Sequence, residues 1–126
     1  MLKEAKKNIT QQDINQYAKL SNDFNPIHVD AKFAATTPMK KPIAHGTMSI
    51  GLIWQSLYNT YGAKAFEGIE IDIRFLKPVY AGDTITAGGA VDKETNQLKI
   101  WVKNAADEQV ITGTAHLTKF NRVDAY

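Results

Sequence analysis

Residues 42–62, PIAHGTMSIGLIWQSLYNTYG, constrain the fold more than any other stretch of this chain. Met48, Ile50, Leu52, Ile53, Trp54 and Leu57 fall on every side of a helical wheel, and the first half of the segment has no polar face. A helix that is apolar all round is a buried helix. Its apolar run is too short to cross a bilayer, which takes about 20 residues, so protein must cover it. Thr47 is placed to cap its start and Gly62 to end it in the left-handed conformation.

Beyond Gly62 the period changes from helix to strand. Ile69, Ile71, Ile73 and Phe75 alternate with Glu70, Asp72 and Arg74, which predicts a half-buried strand ended by Pro78. Further strands are predicted at Asp83 to Val91, at Leu98 to Asn104 with Leu98, Ile100 and Val102 on one face, and at Val110 to Phe120. The turn signals KETNQ and NAADEQ separate them, so the carboxyl-terminal half reads as an antiparallel meander. A long buried helix followed by consecutive antiparallel strands predicts a strongly curved sheet wrapped around one helix, in the α+β class. One such sheet covers the helix incompletely and leaves apolar surface open, so a homodimer is expected.

The amino-terminal half reads as short helices and loops. Thr10 with Asp13 three residues on resembles a capping box and precedes Ile14, Tyr17 and Ala18 at helical spacing, predicting a helix over about 11–20. Asn25 must run extended because Pro26 follows it. Asp30 is placed to cap a second short helical turn holding Phe33 and Ala34. The lysine-rich first residues are expected to fray.

A chain of 126 residues is expected to form a single domain over residues 1–126. Its 44% hydrophobic and 22% charged content are those of a soluble globular protein. Scattered lysines and a net charge of +2 imply no nucleic-acid surface. Cysteine is absent, which removes disulfides, thiolate catalysis and zinc–thiolate sites together. With charge but no apolar run at the amino terminus, the chain reads as cytoplasmic and without a membrane partner.

The chemistry concentrates in NDFNPIH, residues 22 to 28. Asp23 and His28 share a stretch whose backbone is restricted by Pro26 and anchored by Phe24 and Ile27, and a carboxylate and an imidazole converging there can hold a water molecule. The same residues also fit a loop cap and a satisfied, half-buried histidine, and residue types alone leave both readings open. Gly46 stands at the start of the apolar helix, where the first backbone N–H groups lack intrahelical partners. A glycine there lets a ligand carbonyl approach those donors, and the helix dipole favours charge developing on its oxygen. A glycine that merely permits a turn after His45 fits equally.

The remaining candidates carry less. His45 is expected to hydrogen-bond the loop beside it, and His116 lies on a threonine-rich strand face suited to surface or interface. Asp13, Asp72 and Asp83 read as a cap, a solvent-facing strand residue and a turn residue. Asp23, His28 and His45 offer metal-binding atoms without a familiar ligand spacing, so no metal is expected. No G-x-S-x-G or P-loop occurs, and AGGA at residues 87–90 is no dinucleotide fingerprint.

LSNDFNPIHVDAKFAATT followed by KPIAHGTM resembles the MaoC-like, R-specific enoyl-CoA hydratase family, also called hydratase 2, which has the hot-dog fold. The similarity extends over essentially the whole chain, including RFLKPVYAGDTIT. The resemblance implies reversible syn addition of water across a trans-2-enoyl thioester to give the R-3-hydroxyacyl thioester, in a homodimer whose site lies near the subunit interface. Asp23 and His28 match the family's catalytic pair, Asn25 the asparagine that orients the loop and water, and Gly46 the residue whose backbone N–H binds the thioester oxygen. Asn22 stands where many members have glycine. Trp54 stands where some members place a pocket serine, eight positions after the helix glycine, and implies a shortened acyl pocket. The implied substrate is a coenzyme A thioester, with no cofactor. A dehydratase acting on acyl carrier protein is the near alternative, for which Lys40, Lys41 and Lys64 are the few basic docking residues. A hot-dog thioesterase and a non-catalytic acyl-binding module are the others.

Overall fold

The apolar helix lies against a five-stranded antiparallel sheet of order β1-β3-β4-β5-β2 in a computed structural model that describes residues 1–95 and 97–116. The elements are β1 (Ala5–Asn8), α1 (Gln11–Ser21), α2 (Pro26–Val29), α3 (Ala31–Ala35), α4 (Gly46–Tyr61), β2 (Glu70–Phe75), β3 (Thr84–Asp92), β4 (Gln97–Lys103) and β5 (Gln109–His116). A 3-10 turn over Gly62–Phe66 follows α4 directly. The residues after 116, where the fourth predicted strand was to continue to Phe120, lie outside the described residues.

The core forms where α4 meets the sheet. Ile53 and Leu57 of α4 are buried with Ile85 and Ala87 of β3, Leu98, Ile100 and Val102 of β4, and Val110 and Ile111 of β5. In β4, Leu98, Ile100 and Val102 do share one buried face, as period-two alternation requires. Burial does not extend all round α4, however. Ser49, Ile53, Ser56 and Leu57 are buried, whereas Gly51, Gln55, Tyr58 and Asn59 on the opposite side are exposed. A single sheet touches one flank of a cylinder, and the apolar wheel therefore leaves aromatic surface open, with Tyr58 and Phe66 stacked at 5.7 Å.

Three expectations need correction. The first residues do not fray: β1 pairs with β3 in the register Ala5↔Ala87, Leu2 N–H donates to Gly89 C=O at 2.9 Å, and Leu2 is buried. In this strand Ala5 is buried while Lys6, Lys7 and Asn8 are all exposed, so no alternation marks it in the sequence. The meander is real for β3, β4 and β5, but β2 pairs with β5 and not with its sequence neighbour. The β2–β3 connection has no tight hairpin turn. It runs along the segment leading into α4, where Val79 C=O accepts the Ala44 N–H at 2.7 Å and Tyr80 bridges to Ile43. Finally, His45 and not Thr47 occupies the cap position of α4. Gly62 does end the helix with positive φ, although its ψ of −156° lies outside the left-handed helical well.

Two glycines let adjacent strands lie close together. A Cβ on Gly113 would stand 2.2 Å from Asp72 O, and one on Gly89 would stand 2.4 Å from Lys99 O. Neither position has room for a side chain.

Candidate active site

The loop after α1 is shaped by local capping. Thr10 and Asp13 form the reciprocal capping box that starts α1, and the Thr10 backbone N–H, followed by its hydroxyl and the nearby Lys7 ammonium, holds the Asp13 carboxyl below its ordinary range. The helix ends at Asn22, which takes the left-handed conformation at φ 56°, ψ 34°. Asparagine and glycine both enter that region readily, so Asn22 can serve where the family often has glycine. Asp23 N–H then donates to Ala18 C=O at 3.1 Å, and Asp23 Oδ1 accepts the Asn25 N–H at 3.2 Å. Asn25 is extended, as its proline neighbour demands, and its Oδ1 accepts the Ile27 N–H to cap α2, with Pro26 at the first helical position.

His28 is half-buried on α2. Its Nδ1 lies 2.8 Å from Ile43 C=O. A carbonyl oxygen only accepts, so Nδ1 carries the hydrogen and Nε2 is the acceptor of the neutral ring. Gln11 Nε2 donates to His28 C=O at 2.9 Å, tying α1 to the same turn. The fold brings Asp23, His28 and His45 together: one ligating atom from each lies within 4.8 Å of the others. Their spacing along the chain is no familiar ligand motif, and it is the loop's return to the start of α4 that brings the three together.

A cleft of about 340 Å³ opens beside them. His28 and Gly46 line it together with Ser49 of α4, Phe75 at the end of β2, Val79 of the segment after β2 and Ile111 of β5. Apart from His28, Ser49 and Lys77, its walls are apolar. Lys77 is held at the rim by Glu108, whose carboxyl it pulls below its ordinary range with help from Asn104. Gly46 begins α4, no side chain caps that end, and the glycine is exposed. Its φ is not positive, so backbone freedom is not what the position requires. A Cβ there would stand 2.8 Å from Phe75 Cζ, at the far end of an exposed ring that can move.

Chemically, this arrangement sets an exposed carboxylate beside an imidazole, and the imidazole shares an apolar cleft with a helix amino terminus; Asp23 itself does not line that cleft. Trp54 is not part of it. It packs with Phe66 at 6.0 Å between ring centroids and lines a separate groove with Gly51, Tyr58 and Phe66. Eight residues along a helix of 3.6 per turn rotate the side chain by most of a right angle from Gly46. The other α4 residue that lines the cleft is Ser49, three positions on, whose signal in sequence was only a polar residue in an apolar run. Phe75, at the edge of an alternating strand, gave no functional signal at all.

The fold is that of a hot-dog domain. An (R)-hydratase structure from A. caviae superposes with a TM-score of 0.76 at 28% identity over 91% of each chain. An R-hydratase from Pseudomonas aeruginosa superposes at 0.74 with 32% identity, over 91% of this chain and 77% of its own. The profile of the MaoC like domain family matches residues 1–114, and the chain belongs to that family. Among sequence relatives, an (R)-specific enoyl-CoA hydratase from Rhodospirillum rubrum is 40% identical over 81 residues, 64% of this chain. The matched stretch spans 56% of that relative's length. Among the described residues no helix is long and apolar enough to cross a membrane.

Proposed function

We propose that the chain is an R-specific enoyl-CoA hydratase, adding water reversibly and syn to a trans-2-enoyl thioester. The observation that carries this is the convergence of Asp23 and His28 within 4.8 Å, with His28 lining a cleft that the start of α4 also lines. Asp23 and His28 hold the water between them. Its hydroxide bonds to C3, and the pair returns a proton to C2 as the C2–C3 double bond is lost. Both new bonds form on one face because both groups sit on one loop. As negative charge moves to the thioester oxygen, the Gly46 N–H and the dipole of α4 stabilise it. Asn25 keeps the loop in register through its cap on α2. No cofactor or metal is needed in this scheme, and the A. caviae and R. rubrum relatives of the same family carry the name of this activity.

The chain is expected to work in the cytoplasm as a homodimer, the partner covering aromatic surface that one sheet leaves open on α4. Coenzyme A is the favoured carrier over acyl carrier protein, since the basic residues near the cleft are few.

The test follows crotonyl-CoA by loss of its enoyl absorbance, with product stereochemistry assigned, for the protein and its Asp23→Asn and His28→Ala variants. R-3-hydroxybutyryl-CoA is expected, with each variant slower by about 10²- to 10⁴-fold. Release of free coenzyme A would establish a thioesterase. Binding without turnover, on coenzyme A and carrier-protein thioesters alike, would establish a binding module.

A further inference from the structure

The mechanism above uses one histidine of a stacked pair, and the other has no part in it. We propose that His45 is a positioning residue: it locks the loop carrying Asp23 and His28 to the start of α4, and so sets the distance between the held water and the Gly46 N–H. This rests on the hydratase reading and extends it.

His45 occupies the cap position of α4, yet its side chain makes no capping hydrogen bond there. The ring turns back to the loop. Its Nε2 lies 2.9 Å from Asp23 C=O, across 22 residues of chain, and must be the donor because a carbonyl only accepts. Its ring stacks on that of His28, with centroids 3.9 Å apart and planes at 28°. Tyr17 of α1 packs against it at 4.9 Å, and the Tyr17 hydroxyl bonds Thr47, on the first turn of α4. One side chain therefore touches the backbone of the acid, the ring of the base and, through the covalent chain, the residue bearing the oxyanion donor.

Filling space does not explain the choice of histidine. The residue is 3% exposed, and its Nδ1 is buried without a hydrogen-bond partner. A buried acceptor left unmade is destabilising, and a phenylalanine of nearly the same outline would have no such atom. What histidine adds over phenylalanine is the Nε2–H to Asp23. A loop held by that bond keeps the water over C3 while the carbonyl oxygen sits at Gly46. Misplacement by about 1 Å in such an arrangement costs about 10²-fold in rate.

The experiment compares the full chain with His45→Phe and His45→Gln, measuring kcat and KM on crotonyl-CoA, the melting temperature, and amide hydrogen exchange over residues 22–28. Phenylalanine keeps the stack and loses the donor. Glutamine places an amide N–H at about the reach of Nε2. The expected result for His45→Phe is a melting temperature at or above that of the parent, faster loop exchange, and kcat lower by about 10²-fold with KM changed by less than about 3-fold. His45→Gln is expected to recover about 10-fold of that loss. Parental kcat and loop exchange in His45→Phe would overturn the proposal. So would losses of activity that track the melting temperature in both variants, without rescue by glutamine. Absence of turnover in the parent would refute the hydratase reading alone, because loop exchange reads the lock without any substrate.

Discussion

Replacing Gly46 by alanine separates the two reasons a glycine can stand at the start of α4. The backbone there has no positive φ, so alanine incurs no conformational strain, and in a helix interior the exchange would gain about 1 kcal/mol. At the first helical position the gain is smaller. Against it stands the new methyl, 2.8 and 2.9 Å from two atoms of the Phe75 ring, and overpacking typically costs about 1–3 kcal/mol. Phe75 is 54% exposed, so its ring can swing away and most of that cost is relieved. The two terms nearly cancel, and the melting temperature of Gly46→Ala should move by no more than about 4 °C. Catalysis has no such escape. The methyl and the displaced ring both enter the cleft where a thioester oxygen must meet the N–H, and loss of one such donor costs about 10²- to 10³-fold in kcat. Thermal denaturation beside hydration of crotonyl-CoA reads both quantities. A variant as active as the parent, or one that loses activity only because it unfolds, would refute the assignment of Gly46 as the carbonyl site.

Other positions give sharper structural outcomes. Gly113→Ala drives a methyl into the backbone of β2 at Asp72 O and Ile73 Cα, which cannot swing aside, and should destabilise by at least about 1–3 kcal/mol in urea titration. Leu57→Ala removes a fully buried side chain between α4 and the sheet and should cost about 2–5 kcal/mol by the same measurement. Asp13 has a folded pKa below its unfolded one, so its contribution is present above the ordinary carboxylate pKa and lost as pH falls through the lower folded value. Asp13→Asn should therefore lower the melting temperature at neutral pH, with the gap to the parent closing in acid below pH of about 4. Trp54→Ala should leave the ratio of crotonyl- to octenoyl-CoA turnover unchanged, since Trp54 lies in another groove; a shift toward the longer chain would restore it to the acyl pocket.

How much of this was legible beforehand follows from the range of each interaction. The capping box at Thr10, the extended Asn25 and the cap at Asp30 are set within a few residues, and all three stand where local chemistry puts them. The alternation of β2 and β4 and the apolar wheel of α4 gave the layers. Strand order was not legible, because pairing β2 with β5 depends on how the segment from Leu76 to Asp83 runs along the residues leading into α4, and no local pattern encodes that route. Of the site, Asp23, His28 and Gly46 were legible as a motif. That His45 hydrogen-bonds the loop was also legible, but its partner, the Asp23 carbonyl 22 residues away, was not. Trp54 was assigned by counting along the chain, and helical rotation carries it away from the cleft.

The cleft draws its wall from two stretches of the chain. The groups proposed to do the chemistry fall between Asn22 and Ser49, a stretch that also gives Met39, Ile43 and Ala44 to the apolar wall, whereas Phe75, Leu76, Val79 and Ile111 come from the sheet and the segment after β2. A change of acyl preference can thus be sought first in the second set, with the loop and the helix start left as they are. For an engineer the domain behaves as a reaction head with an exchangeable sleeve. Libraries confined to the sleeve should return enzymes of altered substrate range with their pH dependence and stereochemistry intact.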